Sequence, residues 1–290
     1  MLFLSTDGGV NFASTPLPSE KDPGRISSVI AQGADVLFGT ELEGVAAAES
    51  DGTTRFSGAG INSRSISAMA VHRGVAHALV SGLGLFRSRD LGHSWAPAED
   101  LPIGAAQGRF TLLTDRLALL LGSSILLYDE DSDRFERFSV VVAGGNLLSA
   151  VWHGGNLYVG TEKDGIYSSP DSGRTWIRPL TIPFNNNFER QSVLSLASGG
   201  GRLFLTAQGQ YRTYLYEMLP DSGGWKTYYP SGECNQDFNS VTVRGDSLFV
   251  AGTGDVCLSP DAGASWKGLG LFDTAAVDVG GARARVALRR

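Results

Sequence analysis

Cysteine is scarce in this sequence. The 290 residues contain only Cys234 and Cys257, which are too few for a disulfide scaffold and lack the spacing of zinc ligands. In an oxidising compartment the two thiols would pair, whereas elsewhere they would stay reduced. The sequence leaves both possibilities open.

Long apolar runs are also absent. No stretch of 18 apolar residues occurs, so we predict no membrane-spanning helix and no membrane insertion. Residues 1–7 lack the basic start and the extended apolar region of a secretion signal. We therefore expect the chain in the cytoplasm, or outside it if a signal has been removed.

Basic residues are fewer than acidic residues in this chain. The chain has 24 Lys and Arg against 30 Asp and Glu, which gives a formal net charge of −6. Nucleic-acid-binding domains are normally basic and anionic membranes attract basic segments, so we predict neither partner. Hydrophobic residues make up 42% of the chain, enough for a packed core, and the 38 glycines indicate many tight turns.

One short pattern, Ser-x-Asp-x-Gly-x-x-aromatic, recurs along the chain. Its Asp is suited to accept backbone N–H groups across a turn, its Gly to adopt positive φ, and its aromatic to anchor a hairpin. We therefore predict a structural role for these residues. The copies are residues 5–12, 88–95, 169–176 and 259–266, with the acids Asp7, Asp90, Asp171 and Asp261 and the anchors Trp95, Trp176 and Trp266.

Weaker copies around Asp51, Asp131 and Asp221 fill the gaps, so that seven markers lie 39 to 50 residues apart. That interval is typical of one four-stranded propeller blade. The apolar segments between markers read as strands A, B and C, then the pattern, then strand D. The sequence thus predicts an all-β fold, a single seven-bladed β-propeller of four-stranded antiparallel blades over residues 1–290. Its seventh blade would pair strands C and D from residues 1–12 with strands A and B from residues 275–290.

The repeated pattern resembles the Asp box, or bacterial neuraminidase repeat, and the resemblance covers essentially the whole chain. That superfamily includes sialidases, sortilin-type receptors, xyloglucanases and photosystem II assembly factors. The resemblance implies a propeller whose boxes are peripheral C-to-D hairpins, and a periplasmic or secreted location if a signal was removed. It does not fix an activity, because one fold hosts many functions.

The catalytic patterns of these relatives are incomplete in this chain. Sialidases carry an Arg-Ile-Pro motif and a Tyr-Glu pair, whereas Arg25-Ile26-Ser27 lacks the proline and no Tyr-Glu pair can be assigned. Glycoside hydrolysis needs two carboxyl groups about 5 to 10 Å apart. The loop acids Glu41, Glu43, Glu162 and Asp164 are candidates only by position, and solvated loop charge is the simpler interpretation. We predict no catalytic residue.

A metal site is not predicted either. Asp129, Asp131 and Asp133 alternate as in a calcium loop, but Arg134 replaces the required glycine and Val140 the required glutamate. A degenerate copy of the repeat explains the segment better. We accordingly predict no metal and no cofactor.

Binding residues in propellers favour the D-to-A and B-to-C loops, which open on one face of the rigid scaffold. The predicted fifth and sixth blades concentrate aromatic and polar residues in these loops, including Tyr228 and Tyr229. Several arginines precede a strand A and could surround one channel mouth. The candidate binding residues are Arg25, Arg64, Arg109, Asn186, Arg190, Tyr211, Arg212 and Asp237.

The sequence therefore predicts a monomeric, non-enzymatic binding or assembly propeller that recognises a protein, peptide or glycan through its loop face. The alternative is a glycoside hydrolase or lyase of the Asp-box propeller type. Because the two ends meet with almost no surplus, the chain would be either a minimal propeller or one domain of a larger secreted protein.

Overall fold

Strands make up almost all the regular structure of the residues that the structure describes. The computed structural model describes residues 2–4, 13–15, 24–32, 35–49, 53–57, 59–61, 64–98, 108–140, 145–177, 182, 192–208, 212–219, 224–230, 234, 237–253, 256–269, 274–277 and 286–289. No helix within these ranges has the length and apolarity to cross a membrane. The strands in these ranges are β1 (Leu2–Leu4), β2 (Ala13–Thr15), β3 (Ile26–Gln32), β4 (Asp35–Thr40), β5 (Val45–Ala48), β6 (Thr54–Ser57), β7 (Ile66–His72), β8 (Val75–Val80), β9 (Gly84–Ser88), β10 (Ala96–Pro97), β11 (Arg109–Leu113), β12 (Arg116–Leu121), β13 (Ser124–Asp129), β14 (Arg134–Ser139), β15 (Leu147–His153), β16 (Asn156–Thr161), β17 (Ile166–Ser169), β18 (Ser192–Gly199), β19 (Arg202–Gln208), β20 (Thr213–Met218), β21 (Trp225–Tyr228), β22 (Phe238–Arg244), β23 (Ser247–Gly252), β24 (Val256–Ser259), β25 (Lys267–Gly268), β26 (Thr274–Val277) and β27 (Val286–Arg289).

These strands pair into antiparallel sheets, and the predicted all-β fold with four-stranded antiparallel sheets is confirmed. Among the described residues six sheets have four strands and one has three. Chain neighbours form sheet 1 (β3–β6), sheet 2 (β7–β10), sheet 3 (β11–β14), sheet 4 (β15–β17), sheet 5 (β18–β21) and sheet 6 (β22–β25). Sheet 7 takes strands from both ends of the chain, in the order β2-β1-β27-β26.

The second strands of sheets 1, 2 and 4 are covered on both faces. In β4, β8 and β16 every residue after the first is buried. A strand buried on both faces can be apolar at successive positions, which explains why these segments show continuous apolar runs. The fourth strand β14, by contrast, is mostly exposed.

Buried side chains join each of the first six sheets to the next. The first strands β3, β7, β11, β15, β18 and β22 lie beside one another in that order, so these sheets stack face to face along the chain. The shared apolar clusters contain, for example, Leu37 with Met69, Leu79 with Leu119, Leu120 with Leu157, Tyr158 with Leu205, and Phe204 with Val250.

Antiparallel pairing gives every sheet two distinct ends. We call the end where first and third strands begin the loop end, because it carries the connections between sheets. The opposite end, the box end, carries the turns that follow the third strands, including the three described copies of the repeated pattern. We call these copies, residues 88–95, 169–176 and 259–266, the box turns.

The fourth strands follow the aromatic residue of the repeated pattern. β2, β10 and β25 begin directly after Phe12, Trp95 and Trp266, so β2 lies just beyond residues 1–12, where the sequence placed strand D of the seventh blade. In the first and third box turns the indole N–H of the tryptophan donates to a glycine carbonyl of its own turn, at 3.2 Å. The aromatic residue therefore closes the turn instead of opening the strand.

Candidate functional site

The first box turn engages both oxygens of its carboxylate. Ser88 Oγ accepts the Gly92 N–H at 2.8 Å and donates to Asp90 Oδ1 at 2.8 Å. Asp90 Oδ1 also accepts the Ser94 N–H at 2.9 Å, and Asp90 Oδ2 accepts the Ser94 hydroxyl at 2.5 Å. Gly92 has a φ of 79°, a conformation that costs glycine little.

The other two box turns repeat this arrangement. Asp171 accepts the N–H and hydroxyl of Thr175, and Asp261 those of Ser265, at 2.6 to 2.8 Å. These bonds stabilise the charged carboxylates and lower the pKa of Asp90, Asp171 and Asp261 to about 2. A carboxyl group in this state is poorly suited to donate a proton near neutral pH.

Box turns also contact the preceding sheet. The backbone N–H of Trp95 donates to the Ala59 carbonyl, just after sheet 1, at 3.0 Å. Gly263 lies so close to the Tyr228 ring of sheet 5 that a β-carbon there would collide with it. We interpret the described box residues as connectors between sheets; Asp7 of the first copy lies outside the described residues.

The degenerate hairpin between β13 and β14 uses a different acid from the one the repeat marks. Asp129 Oδ1 accepts the N–H groups of Ser132 at 3.1 Å and Asp131 at 2.9 Å, and these bonds lower the pKa of Asp129. The carboxylate that caps this hairpin is therefore Asp129 and not the marker Asp131. Within the described residues, no group of three His, Cys, Asp or Glu side chains could hold a metal ion.

A tyrosine, a glutamate and an arginine meet between sheet 5 and the third box turn. Tyr228 donates its hydroxyl proton to Glu217 Oε2 at 2.6 Å, and Arg202 Nε donates to Glu217 Oε1 at 2.5 Å. Arg202 also donates to the Tyr228 hydroxyl at 2.8 Å and to the Ala262 carbonyl at 3.3 Å. This is a Tyr-Glu pair that the sequence could not assign.

The electrostatics of this cluster oppose nucleophilic chemistry. Burial, and then the bond to Glu217, raise the pKa of Tyr228, so its phenol stays protonated. Burial alone would favour neutral Glu217, but hydrogen bonds from Arg202 and Tyr228 outweigh it and lower the pKa of Glu217. An activated nucleophile needs a lowered pKa or an adjacent base, together with access to substrate. The buried cluster instead ties sheet 5 to sheet 6.

The loop acids occupy equivalent turns of sheets 1 and 4. Glu162 Oε2 accepts the Asn146 N–H at 3.1 Å, and Glu41 Oε2 accepts the Arg25 N–H at 3.4 Å. Each glutamate thus joins the turn after a second strand to the start of the first strand of its own sheet. Because sheets 2 and 3 lie between sheets 1 and 4, the structure does not place these two acids on adjacent sheets.

Three predicted binding arginines lie at equivalent positions of the loop end. Arg25, Arg64 and Arg109 stand at or just before the first strands of sheets 1, 2 and 3, and all three are exposed. The Arg64 carbonyl accepts the Gly44 N–H of sheet 1 at 2.9 Å, which holds two sheets together at this end. The structure therefore distributes the three arginines over consecutive sheets.

The loop end of sheet 5 carries what we call the tyrosine–arginine cluster: Arg212, Tyr214, Tyr229 and Asp237. The Arg212 guanidinium lies 5.8 Å from the Tyr214 ring centroid, and the Tyr214 and Tyr229 rings meet edge to face at 6.3 Å. Tyr229 is 73% exposed. Asp237 accepts the Thr213 N–H at 2.9 Å, so the predicted residues Arg212 and Asp237 meet at one junction of sheets 5 and 6.

Sequence reasoning missed part of this cluster. Tyr214 was not predicted, although the tyrosines two residues apart in Tyr214-Leu215-Tyr216 indicated one tyrosine-bearing face of a strand. The same reasoning grouped Tyr228 with Tyr229, whereas Tyr228 is buried. The predicted residues Asn186, Arg190 and Tyr211 lie outside the described residues.

Cys234 and Cys257 form a disulfide in the structure, one of the two alternatives that the sequence left open. Their Cα atoms are 5.8 Å apart, within the usual range. Cys234 belongs to the connection from sheet 5 to sheet 6, and Cys257 lies near the beginning of β24. Both are buried in the same cluster as Phe238, so the bond fixes the connection that carries Asp237 against sheet 6.

Solved structures with the same fold are propeller-like proteins. The extracellular domain BT4673 from B. thetaiotaomicron, named as part of a hybrid two-component system, matches 88% of this chain with a TM-score of 0.66 and 14% identity. An ancestral GH74 enzyme matches 92% with a TM-score of 0.65 and 14% identity. YCF48 bound to D1 peptide matches 87% with a TM-score of 0.60 and 16% identity. The chain therefore has a propeller-like fold.

The matches differ in how much of each neighbour they include. The chain spans 34% of the BT4673 domain, 41% of the GH74 enzyme and 82% of the YCF48 chain in its complex. No family model and no curated protein sequence matches the chain. At these identities the likeness shows the fold alone.

Proposed function

We propose that this chain is a single seven-bladed propeller that binds a peptide segment of a partner protein at its loop end. In this proposal the seven described sheets are the blades. Support comes from sheet 7, where β1 pairs with β27 through Phe3↔Ala287 and Leu4↔Val286. It also comes from the consecutive packing of sheets 1 to 6.

Ring closure has its own test. Deleting residues 1–15 removes β1 and β2 and leaves β27 with an unpaired edge, which favours aggregation and local opening. We expect the thermal midpoint to fall by about 5 °C or more, since a loss of about 3 kcal/mol shifts a domain of this size by that order. An unchanged midpoint would contradict closure through the chain ends.

The tyrosine–arginine cluster is the observation that carries the binding proposal. Tyr and Arg dominate the residues whose loss most weakens protein interfaces, and here Tyr229 and Arg212 lie together at the loop end. The disulfide fixes the neighbouring connection, which reduces the ordering cost of binding. YCF48, which resembles this chain over most of its length, is known as a complex with a peptide.

Peptide and glycan arrays probed with the labelled protein test this proposal. We expect a peptide ligand whose affinity falls at least about ten-fold in Tyr229→Ala, the loss expected for a central aromatic contact. The matched control is Arg174→Gln, an exposed box-end residue, which should bind like the wild type. A ligand that binds both variants equally would place recognition elsewhere.

Glycoside hydrolysis is the second candidate, motivated by the GH74 neighbour. It requires two carboxyl groups within about 10 Å around a substrate, whereas one acid of each candidate pair, Glu41 of Glu41 with Glu43 and Glu162 of Glu162 with Asp164, accepts a backbone N–H of its own sheet. Turnover of a panel of glycosides, unaffected by Tyr229→Ala, would replace the binding proposal. A glycan that binds without turnover and needs Tyr229 would keep the site and change its ligand class.

The disulfide also supports a location outside the reducing cytoplasm. We therefore propose a periplasmic or extracellular setting for the partner. Free-thiol titration of protein purified from the native cells tests it, and two titratable cysteines under denaturing conditions would contradict it.

A further inference from the structure

A histidine occupies an apolar position of sheet 2. Counted from the turn that joins the first two strands, His77 is the third residue of β8. The equivalent residues of sheets 1, 3, 4, 5 and 6 are Leu37, Ala118, Tyr158, Phe204 and Phe249. None of these five side chains can gain a positive charge. Among these six sheets, sheet 2 therefore carries at this position the one group that protonates in acid.

Three aromatic rings of sheet 3 cover His77. The centroid of its ring lies 5.2 Å from that of Tyr128, 6.0 Å from that of Phe135 and 6.3 Å from that of Phe110. The His77 side chain is 0% exposed, and neither ring nitrogen has a hydrogen-bond partner among the described residues. Burying a charge without a partner is strongly unfavourable. The surroundings of His77 therefore suit a neutral imidazole and not an imidazolium.

Charged and titratable groups near His77 come from both sheets. They are His72 of β7, Arg87 of β9, Arg89 just after β9, Tyr128 of β13 and Asp133 of the β13–β14 hairpin. Arg87, Arg89 and a protonated His72 oppose a further positive charge, whereas Asp133 favours one. The Asp133 carboxylate already accepts hydrogen bonds from Arg89 and from the Tyr128 hydroxyl. The neighbouring charges therefore add to the effect of burial and keep His77 neutral.

The other histidine of this contact is placed differently. His72 Nε2 lies 2.9 Å from Glu130 Oε1, so a proton on His72 would form an ion pair with a carboxylate. Within the described residues, His77 has no carboxylate at hydrogen-bonding distance. Acid therefore affects the two histidines in different ways, and only the charge on His77 conflicts with the closed contact.

Acid favours an opened contact over the closed one. Burial, and then the positive charge of Arg87, lower the pKa of His77 from 6.5 to about 3. When sheets 2 and 3 part, the ring meets water and regains its ordinary pKa. The opened form then binds one more proton than the closed form between about pH 6.5 and about pH 3, so each pH unit downward favours opening about ten-fold.

We propose that protonation of His77 opens the contact between sheets 2 and 3, which makes this contact an acid-sensitive switch within the fold. At neutral pH the ring is uncharged and packs as one more aromatic side chain. In acid it gains a proton only when Tyr128 and Phe135 separate from it. The switch goes beyond the proposed binding function and does not require a ligand at the tyrosine–arginine cluster.

An engineered thiol reports this opening in the full chain. Because Cys234 and Cys257 are joined in a disulfide, Ala68→Cys adds a free thiol, at a β7 position that is 7% exposed in the apolar cluster of sheets 2 and 3. Ala197→Cys is the matched reference, at a β18 position that is 9% exposed in the cluster of sheets 5 and 6. The rate of labelling by dithiodipyridine, divided by the rate for free cysteine, is measured at about pH 5.5 and about pH 4.5.

We expect the normalised labelling of Ala68→Cys to rise about ten-fold between these two pH values, and that of Ala197→Cys to stay constant. Adding His77→Leu, the residue type of sheet 1 at this position, should abolish the rise. His77→Phe, the residue type of sheets 5 and 6, serves the same purpose if the leucine variant does not fold. Adding His93→Asn, which replaces an exposed histidine of the first box turn, should leave the rise intact.

Three labelling results would overturn the proposal: no rise in Ala68→Cys, an equal rise at both thiols, or a rise that persists without His77. The NMR shifts of the imidazole nitrogens give a second measurement, on the wild type. We expect His77 to remain neutral in the folded protein at about pH 5. A His77 that gains its proton near the ordinary pKa while sheets 2 and 3 stay closed would also contradict the switch.

Discussion

Tyr228 is 5% exposed and Tyr229, the next residue, is 73% exposed. Tyr228 reaches back toward the box end, where Glu217 and Arg202 engage its hydroxyl. Tyr229 remains at the loop end beside Tyr214. The same contrast between bound and exposed polar groups holds for the two ends of the sheets. At the box end the box-turn carboxylates accept hydrogen bonds, whereas at the loop end Arg25, Arg64 and Arg109 are exposed. Residue type alone therefore does not identify a candidate binding group. The more useful criterion is whether the polar atoms of the side chain are already hydrogen-bonded within the protein.

The largest effect should come from the disulfide that holds the loop end. Replacing Cys234 and Cys257 by Ser removes a crosslink between residues separated by 23 positions. The free energy of unfolding should fall by about 3 kcal/mol, because the crosslink restricts the unfolded chain. Urea denaturation measures this change.

The matched comparison is the wild type with and without dithiothreitol, which should reproduce the loss. Reduction should also weaken ligand binding at the tyrosine–arginine cluster, because the connection that carries Asp237 is released. If the Ser variant unfolds at the wild-type urea concentration, the disulfide does not hold this end.

The next largest effect contrasts the box end and the loop end of sheet 5. Glu217→Ala leaves Arg202 and the Tyr228 hydroxyl without their acceptor, which should cost about 2–3 kcal/mol of stability. Tyr229→Ala should cost less than about 0.5 kcal/mol, as is usual for exposed positions. Thermal and urea unfolding of both variants give the comparison, and equal losses would break the contrast.

A smaller loss is expected from Ser88→Ala in the first box turn. The buried Gly92 N–H loses its acceptor, an effect of about 1–2 kcal/mol. Ser94→Ala, which removes an exposed hydroxyl but keeps the backbone bond to Asp90, is the control and should cost less. A larger loss in Ser94→Ala would mean that the hydroxyl contact, and not the serine acceptor, determines the turn.

The repeat predicted the strand organisation well because the polar residues of each copy interact with one another. Ser88, Asp90 and Gly92 interact within one turn, so their spacing in the sequence is their spacing in space. Long-range partners carry no such local signal. The contact between Arg202 and Ala262 joins residues 60 positions apart, and the pairing of Tyr228 with Glu217 depends on which face of β21 is buried.

The candidate site was only partly predictable for the same reason. Arg212 and Asp237 were chosen for their loop positions, and the structure joins them through the Thr213 N–H. Tyr214 was not predicted because the alternation of side chains along β20 defines two faces of the strand but does not show which face is covered by a neighbouring sheet. Cys234 and Cys257 show a related limit, since their pairing depends on the fold and on the redox conditions.

The smallest effect concerns the charge of the box-turn acids. The pKa of Asp171 and Asp261 is about 2 in the folded protein, below the ordinary 3.8, so folding favours their charged forms. Their contribution to stability is complete above about pH 4 and is lost as the pH falls toward 2. The thermal midpoint of the wild type should therefore decline through this window.

Asp171→Asn combined with Asp261→Asn keeps acceptor oxygens but removes both titrating groups. The midpoint difference between wild type and variant should be largest at pH 5 and should shrink toward pH 2, where the wild-type acids become neutral as well. Because these carboxylates are exposed to solvent, added salt should alter the difference only through screening of their charge. A difference that stays constant down to pH 2 would mean that oxygen geometry alone, without charge, sustains the box turns.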